Sequence, residues 1–267
     1  MRAIPDTLDP GIVAAIDRRL ARVCEEHGVT IPLAVESGSR AWGFPSPDSD
    51  YDARFLFVRP VDDYLRLTPL RDVVETPLDA VFDLNGWDVR KALGLLVRGN
   101  ATVTEWLRSP IVYGGDPAFV GGMLELADRI VDRERVLDHY LHVGGRHIAD
   151  SGGKLKRFFY ALRPAAALRW LRVHPGHAVA PMDLPTLTAE NGSPDDVAQA
   201  IAELIERKAV TRELGGGEPP RLLTRFVEHE LAIAEERQTA PRSDLAAGAR
   251  QADEFFRELV LPRISGR

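Results

Sequence analysis

Cysteine, lysine and long apolar runs are what this chain of 267 residues has least of. Cys24 stands alone, so neither a disulfide framework nor a cysteine-built zinc site can form within the chain. No apolar run approaches the roughly 20 residues that cross a bilayer. Residues 1–9 carry acids and a proline where a signal peptide has its apolar core. These absences lead us to expect a cytoplasmic protein without a membrane partner. Of 34 basic residues only Lys91, Lys154, Lys156 and Lys208 are lysine. Nor is there an excess of positive charge: the formal net charge is −6. That excludes a whole-surface grip on nucleic acid and leaves a local basic groove open. Phosphate-binding P-loop, Rossmann glycine fingerprint and nucleophile elbow are all missing.

What is there is an ordinary globular composition, 45% hydrophobic and 28% charged, long enough to bury a core. Asp9, Pro10 and Gly28 bound a first amphipathic helix carrying Ile12, Val13, Ile16, Leu20 and Val23. Strands are predicted over 31–35, 51–58 and about 80–87. From Asp88 the pattern turns helical: one helix closed by Gly99, another begun by Asn100, then stretches over 119–131, 133–148, 154–173, 194–212, 221–238 and 243–261. Segments 174–192 and 215–217 read as loops. The expected fold is α+β, with a small mixed-sheet head over residues 1–115 and a helical domain over 116–267.

The chemistry concentrates between Glu36 and Arg54. Asp50 and Asp52 are two apart on a strand, so both project to one face, and Ser49 and Tyr51 to the other. Paired carboxylates repel unless a cation sits between them, and Mg²⁺ is commonly held by one or two carboxylates plus substrate phosphates. Eleven positions before Asp50 stands Ser39, preceded by Gly38 at the end of a strand. Glycine lets backbone approach a ligand closely, serine adds a donor, and a helix starting there would favour an anion. A phosphate cradle facing a carboxylate-bound metal suits phosphoryl or nucleotidyl transfer.

Gly38-Ser39 followed by Asp50-Tyr51-Asp52 resembles the signature of the DNA polymerase beta-like nucleotidyltransferase superfamily. The longer strings 38–44 and 46–54 resemble a branch of predicted nucleotidyltransferases associated with RNA ligases and RNA repair. The likeness continues through 87–93, Gly99-Asn100, 105–110 and 154–170. It implies a nucleotidyltransferase that moves a nucleoside monophosphate from a nucleoside triphosphate to a hydroxyl, releasing pyrophosphate. The acceptor it implies is an RNA 3′ end or a protein or small-molecule hydroxyl. It also implies magnesium, two ions, with manganese as a substitute. Asp50 and Asp52 would bind metal, and a third acid on a nearby strand would join them and activate the hydroxyl. Asp83 is the candidate for that third acid, with Asp88, which also reads as a helix N-cap, as its competitor and Asp79 as a third choice.

Gly38, Ser39, Arg40 and Ser49 are the nucleotide-binding candidates of the first stretch. Arg40 reads equally as a partner of Glu36 or Asp48. Lys91, one turn into its helix near the proposed third acid, reads as a phosphate contact or a surface ion pair. Trp42 and Phe44 read as core or as base pocket. The helix over 154–173 offers Lys154 and Tyr160, and its run of Arg163, Arg169 and Arg172 makes a face for a triphosphate or an RNA backbone, or a solvated one. Pro164 predicts a kink there. The rival function is a non-catalytic nucleotide-binding or regulatory module on the same fold.

Overall fold

A computed structural model describes residues 1–76, 82–150, 155–211 and 217–261. Asp79 and Lys154 lie outside the described residues, as do Gly215 and Gly216. The first helix, α1 (Pro10–His27), begins where its sequence says it should. The Asp9 carboxylate accepts from the amides of Gly11 and Ile12, at 2.7 and 3.2 Å, satisfying first-turn donors. Gly28 closes it in the left-handed region at φ 61°.

Five strands form one mixed sheet: β1 (Thr30–Glu36), β2 (Tyr51–Val58), β3 (Val73–Glu75), β4 (Phe82–Asp88) and β5 (Val112–Gly115). Their order is β3-β4-β2-β1-β5. β2 and β4 pair in parallel, the other neighbours antiparallel. Alternation decides what each face meets. Ala34, Tyr51, Ala53, Phe55, Phe57 and Leu84 pack toward Val13, Ile16 and Val23 of α1. Leu33, Val35 and Leu56 pack toward α4 (Val89–Val97), α5 (Ala101–Leu107), α6 (Pro117–Ile130) and α12 (Leu245–Val260). The cover of this second face therefore draws on helices beyond residue 115.

A separate core gathers α7 (Arg133–Asp150), α8 (Leu155–Val173), α9 (Leu184–Glu190), α10 (Asp195–Val210) and α11 (Arg221–Glu236). Phe44, fully buried in that core, stacks on Phe159 of α8 with ring centroids 4.7 Å apart. The chain just after the Gly38-Ser39 step is thus anchored in the helical body. Gly43 makes the approach possible: its φ is 81°, and a Cβ there would stand 2.6 Å from Pro185 Cδ.

Several elements depart from expectation. β3 and β5 stand where no strand is predicted: β3 pairs with β4, and β5 is a four-residue strand on β1 whose Val112 also bridges to Ala3. Segment 174–192 is not all loop: the Asp183 carboxylate accepts from the Thr186 amide at 2.8 Å and starts α9. And α8 runs through Pro164 without a break, packed where Gly144 of α7 presents no side chain.

Candidate active site

The parallel pairing of β2 and β4 puts Asp52 directly opposite Asp83. Both are partly exposed, and the Arg54 guanidinium lies between them: its Nη2 stands 3.2 Å from Asp52 Oδ1 and 2.7 Å from Asp83 Oδ2. Arg54 shares the face of Asp52, two residues on, as strand alternation dictates. Its Nη1 also donates to the Asp83 carbonyl at 2.7 Å, and Asn85 Nδ2 donates to Asp83 Oδ1 at 2.6 Å. Both oxygens of Asp83 are therefore held by this chain's own donors. Burial raises the pKa of Asp52, with Asp83 and Asp50 adding to the rise and Arg54 opposing it. A site with that imbalance gains from a further cation.

Gly38 opens a single turn, α2 (Gly38–Ala41), at φ 60°. A Cβ on Gly38 would lie 1.9 Å from Asp52 Oδ2, so only glycine lets the bend sit against the carboxylate. The turn is four residues long. The helix-dipole part of the expectation is accordingly weak, since aligned peptide dipoles need length; the Gly38 and Ser39 donors remain. Behind the bend, Glu36 is fully buried. Its Oε1 accepts from the Asp52 amide at 2.8 Å and its Oε2 from the Tyr113 hydroxyl at 2.6 Å. Burial raises the Glu36 pKa to about 7 against these two hydrogen bonds.

The loop between α2 and β2 is tied by hydroxyls. Ser39 Oγ donates to Ser49 Oγ at 2.9 Å, and the Ser46 amide donates to the same oxygen at 2.9 Å. Arg40 spans the loop, donating to the carbonyls of Ser49 (2.7 Å) and Asp50 (3.2 Å) while its guanidinium lies 3.9 Å from the Tyr51 ring centre. Asp50 is exposed and stands one residue before β2, outside the strand on which it was expected, so strand alternation does not fix its direction; its charge still reaches Asp52 and adds to the rise in that group's pKa. Burial raises the pKa of the Tyr160 phenol on α8, and the charges of Asp52 and Asp50 raise it further.

Other expected residues stand elsewhere. Asp88 caps α4, accepting from the Arg90 amide at 2.8 Å and from the Tyr64 hydroxyl at 3.1 Å. It lies five strand positions from Asp83, roughly 16 Å at the usual rise. Lys91 goes with it, 3.2 Å from Asp72 Oδ1, so it is an ion pair at the far end of β4 rather than a neighbour of Asp83. The arginine face of α8 is also corrected. Arg163 is buried 2.6 Å from Glu105, and Arg169 and Arg172 pair with buried Glu230 at 2.7 and 2.8 Å. Those side chains tie helices together. Sequence reasoning overlooked Arg54 and Asn85 as partners of Asp83, and Glu36 as the support of Asp52. For Arg54 and Asn85 the period-2 alternation was the available signal; Glu36 announces itself only through the fold.

Among the described residues no three His, Cys, Asp or Glu side chains converge as a ready-made metal cage. A hard, well-hydrated ion such as magnesium is commonly held by one or two carboxylates and completed by substrate oxygens and water. Asp50 and Asp52 have the right donor chemistry.

Comparison with known proteins adds family to geometry. The uncharacterized protein YcgL of Bacillus subtilis (strain 168) is 36% identical over 216 residues, which span 79% of this chain and 82% of that protein. A crystal structure of a nucleotidyltransferase-like protein from Exiguobacterium sibiricum 255-15 aligns over 91% of this chain and 79% of that one, at 12% identity and a TM-score of 0.28. Residues 12–258, which take in the Gly38 bend, all three acids, α2 to α11 and all but the last two residues of α12, match a single family along their whole length. The chain belongs to the RNA repair pathway DNA polymerase beta family.

Proposed function

We propose that this protein transfers a nucleoside monophosphate from a nucleoside triphosphate to a hydroxyl, the 3′ end of an RNA, and releases pyrophosphate. One observation carries the reading. The Gly38 backbone abuts the Asp52 carboxylate, on the strand position opposite Asp83. Phosphate donors and acids thus share one small surface, as nucleotidyl transfer requires. The Gly38 and Ser39 amides and the Ser39 hydroxyl bind the outer phosphates. Asp50 and Asp52 are the ligands for magnesium, which when bound neutralises phosphate charge. Asp83, fixed by Arg54 and Asn85, takes the proton of the incoming hydroxyl. That oxygen attacks the α-phosphorus, and the bond to the pyrophosphate oxygen breaks. The family's description, which names an RNA repair pathway, supports an RNA acceptor.

The test is transfer of label from each of four α-labelled triphosphates, with Mg²⁺ or Mn²⁺, to RNA 3′ ends and, in parallel, to protein. The Asp50→Ala, Asp52→Ala double variant is expected to fold and to lose transfer. Transfer that persists in it refutes the mechanism. A second reading, a nucleotide-binding module without catalysis, is favoured by the Arg54 guanidinium already set between Asp52 and Asp83. It predicts nucleotide binding with no labelled product under any metal.

A further inference from the structure

The candidate site carries a positive charge of its own. Arg54 Nη2 stands 3.2 Å from Asp52 Oδ1 and 2.7 Å from Asp83 Oδ2, so a single nitrogen fills the gap between the two acids. The acids alone do not hold it there. Arg54 Nη1 donates to the carbonyls of Ala53 and Asp83, at 3.0 and 2.7 Å, which ties the guanidinium to the backbone of both β2 and β4. The side chain is only 17% exposed. A guanidinium keeps its proton in proteins, so this charge is permanent. The carboxylate oxygens divide accordingly. Asp83 Oδ2 meets Arg54, and Asp83 Oδ1 accepts from Asn85 Nδ2 at 2.6 Å. Asp52 gives Oδ1 to Arg54, while its Oδ2 is turned to the Gly38 bend, where a Cβ would stand 1.9 Å away. A magnesium ion bridging Asp52 and Asp83 needs an oxygen from each at about 2.0–2.1 Å. Arg54 Nη2 stands in that space. Two-ion centres place their ions roughly 3.5–4 Å apart to clamp the attacking and the leaving oxygen. Here the protein fills one side of such a clamp with a side chain pinned by main-chain carbonyls.

We propose that the site works with one divalent ion, on Asp50 and Asp52, and that the Arg54 guanidinium takes the place of the second. The inference rests on the nucleotidyl-transfer reading and departs from the two ions that the family resemblance implies. Arg54 is then a positioning residue: it fixes Asp83 and keeps an ion out of the gap between Asp83 and Asp52. Equilibrium dialysis of the full chain against Mn²⁺ with a non-hydrolysable triphosphate analogue, the ATP, GTP, CTP and UTP forms in turn, tests it by counting protein-held Mn²⁺ per protein-held analogue. The Asp50→Ala, Asp52→Ala variant sets the baseline for Mn²⁺ held elsewhere on this acidic chain. The parent is expected to hold one ion above it. Arg54→Met, which keeps the stem and removes the charge, is expected to hold two. Asp83→Asn is expected to keep the parent's one ion, and its loss would make Asp83 a metal ligand and overturn the proposal, so the test stands even where Arg54→Met does not fold. Two ions in the parent overturn the proposal and leave the transfer reading intact. A folded Arg54→Met variant that still holds one shows that Arg54 displaces nothing, and overturns it as well. A parent that holds none refutes the transfer reading together with the proposal.

Discussion

A single missing methyl group holds the candidate site together. Gly38 occupies φ 60°, and a Cβ there would overlap Asp52 Oδ2. Gly38→Ala therefore combines left-handed strain, about 1–2 kcal/mol, with displacement of the carboxylate. We expect a measurably lower thermal midpoint and a more than tenfold loss of transfer. A variant as active as the parent would show that the bend has no part in catalysis. Glu36 makes a pH prediction. Its folded pKa, about 7, lies above its ordinary carboxyl value of 4.5. The native state then holds a proton that the unfolded chain has released, so stability from this group falls as pH rises from about 4.5 to 7 and is level above that. Glu36→Gln keeps an acceptor for the Asp52 amide and removes the titration. In metal-free protein, the unfolding free energy of the parent at pH 5 relative to pH 8 should exceed that of the variant by about 2 to 3 kcal/mol. Parallel curves from denaturant titrations would exclude a raised Glu36. At this scale the sequence was legible where spacing is local: Gly38, Ser39, Asp50 and Asp52 are fixed by one strand-turn-strand stretch. Asp83 was legible only through family resemblance; alternation puts Arg54 on the face of Asp52 and Asn85 on that of Asp83, but the contact of Arg54 with Asp83 comes from the β2–β4 register, which no local pattern states.

Among the elements, long amphipathic helices and the apolar strand β2 declared themselves, whereas β3 and β5 did not. Three residues, Val73–Glu75, and a Val-Tyr-Gly-Gly run carry too few alternations to define a strand. They become strands because β4 and β1 offer open edges. The arginines of α8 misled for a related reason: a charge read along one helix says nothing of the acid that another helix brings to it. Glu230 of α11, 1% exposed, receives both Arg169 and Arg172, and Arg169 also reaches the carbonyls of Asn191 and Gly192 beyond α9. Glu230→Ala leaves two guanidinium groups without their shared acceptor. The expected cost is about 3 kcal/mol, read as a lower denaturant midpoint at unchanged m-value. A loss within a few tenths of a kcal/mol would mean that solvent replaces the carboxylate and that this clamp does not fasten α8 to α11.

For the molecule as a whole, charge decides how it can meet RNA. A chain of net charge −6 must concentrate any basic surface, and three arginines that promised one, Arg163, Arg169 and Arg172, are neutralised internally. Recognition of an RNA end would then depend on the nucleotide site and its metal more than on a long backbone track. The two modes differ in salt dependence. Each phosphate neutralised on a single strand contributes about −0.7 to the slope of log affinity against log salt, so six to ten contacts cost about 300-fold to 10⁴-fold in affinity between 50 and 200 mM salt. Engagement limited to one or two phosphates gives less than about tenfold over that range. Fluorescence anisotropy of a labelled single-stranded RNA, titrated at both salt concentrations with Mg²⁺ fixed, separates them. The expected result is the shallow dependence, deepening little when the RNA is lengthened. A steep slope that grows with RNA length would require a basic track that the paired arginines of α8 do not provide, and would move the RNA contact away from the Asp52 site.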